Sequence, residues 1–166
     1  MKLAGGAAVT AALTAHAAKP KRGVKKGRIN QSVVHWCWGE RGWKIEDTAK
    51  AAADLGCKSV ELVSPDDWPV LKKHGLTCAI APNGVEGPPF MRGFNNPDYH
   101  DMVIKATKET IDACAKFGVK NVIAFNGYRW KKAEDPQSGE IIAEQGAKNC
   151  VKGLKKIIGY AEKKGV

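Results

Sequence analysis

The sequence repeats one pattern of apolar and polar positions several times. In each copy an amphipathic segment ends at a glycine, about five β-branched or apolar residues follow, and a polar loop comes next; residues 113–130 are the clearest copy. A glycine past the last helical turn adopts the left-handed conformation without strain. The short apolar run is typical of a strand buried on both faces. The pattern therefore predicts an α/β fold with parallel βα repeats. The glycines expected to end helices are Gly56, Gly75, Gly118 and Gly165.

The apolar runs predict four strands, with a helix after each. The strands cover residues 30–36, 59–63, 77–81 and 121–125. The first helix covers residues 46–55, and a short one runs through Trp68, Val70 and Leu71. In the third helix, Asn96 is predicted to be the N-cap and Pro97 the first helical residue. Its sheet-facing stripe is Val103, Ala106, Thr110, Cys114 and Phe117, and the stripe of a last amphipathic helix is Ala147, Val151, Leu154, Ile158 and Ala161.

Two polar segments are predicted as loops. Residues 82–96 follow the third strand and are rich in Gly and Pro, and residues 126–139 follow the fourth. Loops of such length inside a compact domain usually have a function. We therefore expect residues 82–96 to contribute to a site.

The first 28 residues do not follow the βα pattern. Residues 3–13 are small and apolar, and Ala15-His16-Ala17 has the small-x-small form of a signal-peptidase site. This predicts a signal-like leader over residues 1–18 and an exported or periplasmic protein; a disordered leader on a cytoplasmic protein is the alternative. A membrane-spanning helix needs about 20 apolar residues, so no membrane anchor is predicted.

Residues 19–28 form a basic linker with six of the 27 basic residues. These six and Lys2 account for seven positive charges, so the formal net charge of +10 falls to +3 for residues 29–166. Basic runs can bind nucleic acid, but Gly and Pro interrupt this one and no aromatic side chains are interleaved for base stacking. We predict no nucleic-acid partner, and a single domain over residues 29–166.

The five cysteines are odd in number and form no C-x-x-C pair. Most lie beside apolar residues on predicted strands or helix faces, which favours buried thiols over disulfides or zinc ligands.

Several short phrases resemble a known family. They are His35-Trp36-Cys37-Trp38, residues 60–65 (VELVSP), Pro82-Asn83-Gly84 and Ala124-Phe125-Asn126-Gly127. In order and spacing they resemble the first four βα units of hydroxypyruvate isomerase-like proteins, which belong to the xylose isomerase-like (β/α)8 TIM barrels. The resemblance covers about residues 29–166. Such barrels need about 250 residues, so it implies a truncated half-barrel.

The resemblance also implies where a site would lie. TIM-barrel sites are built at the C-terminal ends of the strands, and the candidate substrate-binding residues there are His35, Trp38, Glu61, Asn83, Asn126 and Arg129. Each also has a structural interpretation. His35 can be a hydrogen-bonded core histidine, Glu61 can belong to a structural ion pair, and Trp38 can be packing. Asn83 and Asn126 each precede glycine and can serve a turn, and Arg129 can be a solvated charge.

The activity implied is the movement of a proton between adjacent carbons of a small hydroxy-carbonyl or sugar-like substrate. In the complete barrel a divalent metal, magnesium or manganese with zinc as an alternative, stabilises the enediolate. In the family the metal-binding and catalytic carboxylates come mostly from strands five to eight, so we assign no catalytic or metal-binding residue here. The alternatives are a sugar epimerase, a family 2 apurinic endonuclease-like barrel, or a non-catalytic half-barrel that forms a homo-oligomer.

Overall fold

A computed structural model describes residue 23 and residues 26–166 of the chain. The predicted leader over residues 1–18 and most of the basic linker lie outside the described residues. What the structure describes is a mixed α/β fold with helices and short parallel strands, as the sequence predicts.

Four parallel segments lie side by side in chain order. β1 (Ser32–Val34) pairs with β2 (Ser59–Glu61) in parallel, with Ser32 opposite Ser59. The third segment, residues 77–81, and the fourth segment, residues 121–125, form only isolated parallel bridges, Ser59 with Thr77 and Ala81 with Val122. All four predicted strands are therefore shorter than expected or reduced to bridges.

The end of β2 has a local cause. Leu62, the residue after Glu61, has a φ of 55°, which is uncommon for a residue with a Cβ and turns the chain out of the extended conformation. Its N–H still donates to Ile80 O at 2.9 Å. The third segment thus stays beside β2 without continuing as a regular ladder.

The helices lie close to their predicted positions, except α1, which forms where the sequence predicts the end of the first strand and a loop. The four predicted glycine stops, Gly56, Gly75, Gly118 and Gly165, have φ between 71° and 88°, and Asn96 Oδ1 accepts from Asp98 N at 3.0 Å, so both predictions are confirmed. The helices are α1 (Trp36–Gly39), α2 (Ile45–Leu55), α3 (Trp68–Lys73), α4 (His100–Phe117), α5 (Ala143–Leu154) and α6 (Ile158–Lys164), with 3-10 turns at Pro65–Asp67 and Pro97–Tyr99. None of the helices in the described part of the chain has the length and apolar character needed to cross a membrane.

The loop prediction for residues 126–139 is wrong. The segment forms an antiparallel hairpin of β3 (Trp130–Lys132) and β4 (Asp135–Glu140). Hydrogen bonds from side chains support its turn, because Ser138 Oγ accepts from Lys132 N at 2.9 Å and donates to Asp135 O at 2.6 Å. The sequence signal is absent because, apart from Trp130, the strands consist of charged and polar residues with Pro136 and Gly139.

The core lies mainly between the parallel segments and the helices. One cluster includes Val60, Leu71, Trp68 and Ala52, and a second, around Phe94 and Val103, packs side chains of the long loop on α4. Cys57, Cys78 and Cys114 are buried free thiols, as predicted, whereas Cys37 is exposed and Cys150 is half-buried. Burial raises the pKa of Cys114 to about 11, so this thiol stays protonated.

The predicted last helix is divided in two by a turn at residues 155–157. Three members of its apolar stripe, Ala147, Val151 and Ile158, are exposed. α5 instead packs through Gly146, Asn149 and Gly153. A Cβ on Gly153 would lie 2.7 Å from Phe94 Cδ1, so the helix approaches the long loop more closely than a larger side chain allows.

A charged hydrogen-bond cluster joins α4 to α6, and it gives a first testable prediction. Asp112 accepts from Tyr160 Oη at 2.7 Å and lies 2.6 Å from Lys164 Nζ. The bonds from Lys164 and Tyr160 lower the pKa of Asp112. Because this pKa is lower in the folded state, the stabilisation is present above the ordinary carboxyl pKa and is lost as the pH falls through the folded value. Asp112→Asn should lower the melting temperature near neutral pH but not in strong acid.

The matched control is Glu109→Gln, also on α4, whose carboxylate forms no ion pair among the described residues. Thermal melts of both variants and the wild type across the acidic range provide the measurement. Equal melting temperatures for wild type and Asp112→Asn at neutral pH would contradict the prediction.

Candidate functional site

Two of the six predicted site residues share one open cleft at the carboxyl end of the fourth segment. It has a volume of about 410 Å³ and lies between that end, the hairpin and the first half of α5. We call it the hairpin cleft and define it by Asn95, Asn126, Arg129, Glu140, Ile142 and Cys150. Asn126 and Arg129 were predicted from the sequence; the other four were not.

The long loop 82–96 forms one side of the cleft because its backbone pairs with residues 125–128. Phe94 N donates to Phe125 O at 3.1 Å, and Asn95 N donates to Asn126 O at 2.8 Å. Tyr128 N in turn donates to Met91 O at 2.9 Å. These three bonds hold the loop against the end of the fourth segment, where its residue Asn95 lines the cleft.

Asparagine side chains fix the remaining walls. Asn95 Nδ2 donates to Tyr128 O at 2.7 Å, and Asn149 Nδ2 on α5 donates to Asn95 O at 2.8 Å. Asn96 Nδ2 donates to Lys131 O at 2.8 Å in the hairpin. Buried or half-buried amides that satisfy backbone carbonyls in this way set loop positions. Together they connect the long loop to the hairpin and to α5.

Arg129 is the positively charged side chain among the residues that line the cleft. Its side chain is 65% exposed, and its Nη2 lies 3.5 Å from Glu140 Oε1. The guanidinium also stacks on the Trp130 ring, with Cζ 4.4 Å from the centroid. Since an exposed ion pair of this kind contributes little, Glu140 is a weak competitor for the guanidinium. A planar guanidinium can bind a carboxylate through two parallel hydrogen bonds.

Cys150 adds a thiol to the cleft. Its Sγ lies 3.8 Å from Asn126 Oδ1, and burial raises the pKa of the thiol. A protonated thiol is a poor nucleophile, so Cys150 contributes a wall and a weak donor here. The sequence gives one indication for Cys150, which is its position next to Val151 in the predicted amphipathic helix. That position predicts a packing role for the side chain.

His35 and Trp38 lie elsewhere, near α2. His35 Nδ1 is hydrogen-bonded to Thr48 Oγ1 at 2.9 Å, and Gly39 lies against its ring, with the imidazole Nε2 3.2 Å from where a Cβ would stand. Trp38 packs on Trp43, with ring centroids 6.3 Å apart. Both contacts match the structural interpretation stated for these residues.

Glu61 and Asn83 occupy two further environments. Glu61 is half-buried in β2 and lines an open groove beside the fourth segment, and no ion pair involves it within the described ranges. Asn83 is 1% exposed, and its Oδ1 accepts from Val85 N at 3.3 Å. In this arrangement Asn83 offers a ligand almost no surface. The six predicted residues therefore do not converge on one place.

No group of three or more His, Cys, Asp or Glu side chains in residues 26–166 is arranged so that it could hold a metal ion. No known protein-family model matches the chain, and no curated protein matches it.

Proposed function

We propose that this chain supplies the first four βα units of a hydroxypyruvate isomerase-like barrel of the xylose isomerase-like superfamily, acting on a small hydroxy-carbonyl compound. The observation that carries the proposal is the parallel order of the four segments, with Asn126 and Arg129 in one open cleft at the carboxyl end of the fourth. The carboxyl end of parallel strands is where barrel sites are built.

The roles proposed in the cleft follow from the chemistry of its side chains. Arg129 binds the carboxylate of a short keto or hydroxy acid, since its guanidinium is exposed and only weakly paired with Glu140. Asn126 presents an exposed amide to a substrate hydroxyl or carbonyl oxygen. The hairpin cleft is thus a substrate-binding wall, and the groups that move the proton and hold a metal come from outside the described residues.

A non-catalytic half-barrel is the second candidate, and one observation favours it. Among residues 26–166, the parallel array has no strand paired beyond β1 on one side or beyond the fourth segment on the other. Such edges are sites for pairing with another chain. In this alternative the hairpin cleft binds a small acid without converting it.

The test is catalytic. The purified 166-residue chain is expected not to turn over hydroxypyruvate with added magnesium or manganese, and co-expression with the second half of a related full-length barrel is expected to give metal-dependent turnover. In that assembly Arg129→Met should raise KM roughly 10- to 100-fold, as expected for the loss of a charge-assisted hydrogen bond. Steady-state kinetics measure this.

The matched control is Arg41→Met, because Arg41 is also exposed but lies outside the hairpin cleft; its KM should equal that of the unsubstituted assembly. An inactive assembly of two folded halves would contradict the proposal. Turnover by the purified chain alone would contradict the argument that the described residues lack the proton-transferring groups.

A further inference from the structure

The side chain of Arg129 has two neighbours in the hairpin that act on it in different ways. Its guanidinium stacks on the Trp130 ring, with Cζ 4.4 Å from the centroid, and Glu140 Oε1 lies 3.5 Å from its Nη2. Glu140 stands opposite Trp130 in the antiparallel pairing of β3 with β4, so the hairpin sets all three positions together. We call Arg129, Trp130 and Glu140 the hairpin trio.

Stacking on Trp130 leaves the hydrogen-bond donors of Arg129 available. The ring contacts a face of the guanidinium, whereas the N–H groups point outward in the guanidinium plane. The contact also restricts a long side chain that is 65% exposed, so less side-chain entropy is lost when a ligand binds. The 3.5 Å separation from Glu140 is long compared with the about 2.7–2.9 Å of a charge-assisted hydrogen bond. A ligand carboxylate can therefore bind the guanidinium more closely than Glu140 does.

The charges around the hairpin cleft are balanced. Among the described residues that line it, Arg129 brings one positive charge and Glu140 one negative charge. The Cys150 thiol adds no further negative charge, because burial raises its pKa. Lys131 lines a neighbouring groove of about 360 Å³ together with Asp98 and Glu140, so two carboxylates accompany that ammonium group. Within the described part of the chain, neither groove therefore offers a second cation that lacks a compensating carboxylate.

We infer that the hairpin trio selects small acids that carry a single negative charge. Arg129 binds the one carboxylate, Trp130 is a positioning residue that holds the guanidinium, and the Glu140 carboxylate repels any second anionic group. This repulsion grows with each charge on the ligand, so it disfavours a dianion more than a monoanion. The inference rests on the carboxylate-binding role proposed for Arg129, and it makes dicarboxylates and phosphorylated acids poor ligands of this cleft.

The test compares glycerate, which has one carboxylate, with tartronate, in which a second carboxylate replaces the hydroxymethyl group. NMR titrations of the 166-residue chain at constant ionic strength give both dissociation constants. Wild type is expected to bind glycerate roughly threefold more tightly than tartronate. Glu140→Gln should lower the dissociation constant by about threefold per ligand charge, in the range of an exposed ion pair. The gain is then about threefold for glycerate and about tenfold for tartronate, so the preference for glycerate should disappear.

Glu134→Gln is the matched control for Glu140→Gln. The side chain of Glu134 lies in the turn of the same hairpin and is 52% exposed, against 51% for Glu140, but it pairs with Arg92 instead of Arg129. The control removes the same charge from the hairpin, and the wild-type preference for glycerate should remain. A hairpin that had lost its structure would bind both ligands more weakly, so tighter binding by Glu140→Gln cannot result from unfolding.

Trp130→Leu should raise both dissociation constants roughly threefold without changing their ratio, because it removes the stacking contact but no charge. Trp130→Phe keeps an aromatic face and should bind nearly as wild type does. Tighter binding of tartronate than of glycerate by wild type, an unchanged preference in Glu140→Gln, or wild-type binding by Trp130→Leu would overturn this inference alone. Absence of glycerate binding, or equal binding by wild type and Arg129→Met, would overturn the proposed role of Arg129 and the inference with it.

Discussion

Gly93→Ala is expected to lower the free energy of unfolding by roughly 3 kcal/mol or more, in the upper range for overpacking a buried position. A Cβ on Gly93 would lie 2.3 Å from both Asn126 C and Phe125 O. Both are backbone atoms, so no rotamer change relieves the clash. Either the long loop separates from the fourth segment, with loss of the bonds from Phe94 N and Asn95 N, or the fold fails.

The control is Gly159→Ala. Gly159 is exposed on α6, and a Cβ there would have no atom within 4 Å, so the change should be neutral or stabilise by up to about 1 kcal/mol through the helix preference of alanine. Urea unfolding of the two variants and the wild type gives the comparison. Equal stability of Gly93→Ala and wild type would mean that residues 91–96 do not pack on residues 125–128, and the hairpin cleft would lose one wall.

The parts of the fold that the sequence predicts correctly depend on local rules. Gly56 and Gly118 end helices because the left-handed conformation is open to glycine, and Asn96 caps the 3-10 turn before α4 through its own side chain. The strand segments follow from short runs of mostly apolar residues such as residues 78–81. Each of these sequence signals lies within a few residues of the helix end, cap or strand that it determines.

The parts that the sequence does not predict depend on distant contacts. β3 and β4 alternate no apolar positions, and a hydrogen bond from Asn96, more than 30 residues away, holds Lys131. α5 has the apolar periodicity of a buried stripe, yet Asn149 and Gly153 are the residues that face the core. Phe94 of the long loop lies so close to position 153 that only a glycine fits there. Periodicity shows that a helix has an apolar side, but it does not show which side the rest of the chain covers.

The same distinction between local signals and distant contacts applies to the residues of the candidate site. Asn126 and Arg129 were found because they follow a predicted strand, whereas Asn95 and Glu140 enter the hairpin cleft through the docking of the long loop and the hairpin. His35 was assigned to the end of the first strand, but the chain turns into α1 immediately after it, which brings its imidazole to Thr48 on α2. A strand that ends two residues early is enough to redirect a side chain.

Asn83→Asp is expected to destabilise the protein by roughly 3 kcal/mol or more near neutral pH, because it places a carboxylate where a side chain is 1% exposed. The side chain keeps its shape, and Asn83 Nδ2 has no hydrogen-bond partner to lose among the described residues. The carboxylate would have one donor, Val85 N, at the 3.3 Å of the present bond. Desolvation would then raise the pKa of the introduced carboxyl group in the folded state.

The direction of the pH dependence follows from that shift. The folded pKa would lie above the unfolded value of about 3.9, so the penalty is complete above the folded pKa, shrinks as the pH falls through it, and disappears below the unfolded value. Asn83→Leu is the matched control. It leaves Val85 N without a side-chain acceptor, which costs roughly 1–2 kcal/mol, and that cost should not change with pH.

Urea unfolding of both variants at several pH values measures these differences, and the result also bears on function. If Asn83→Asp is as stable as wild type at neutral pH and its stability is independent of pH, water or a cation reaches position 83. A substrate could then reach it as well, and Asn83 would return to the candidate site. If the pH-dependent loss is observed, Asn83 is buried as the structure shows, and its side chain fixes the start of the long loop through the bond from Val85 N.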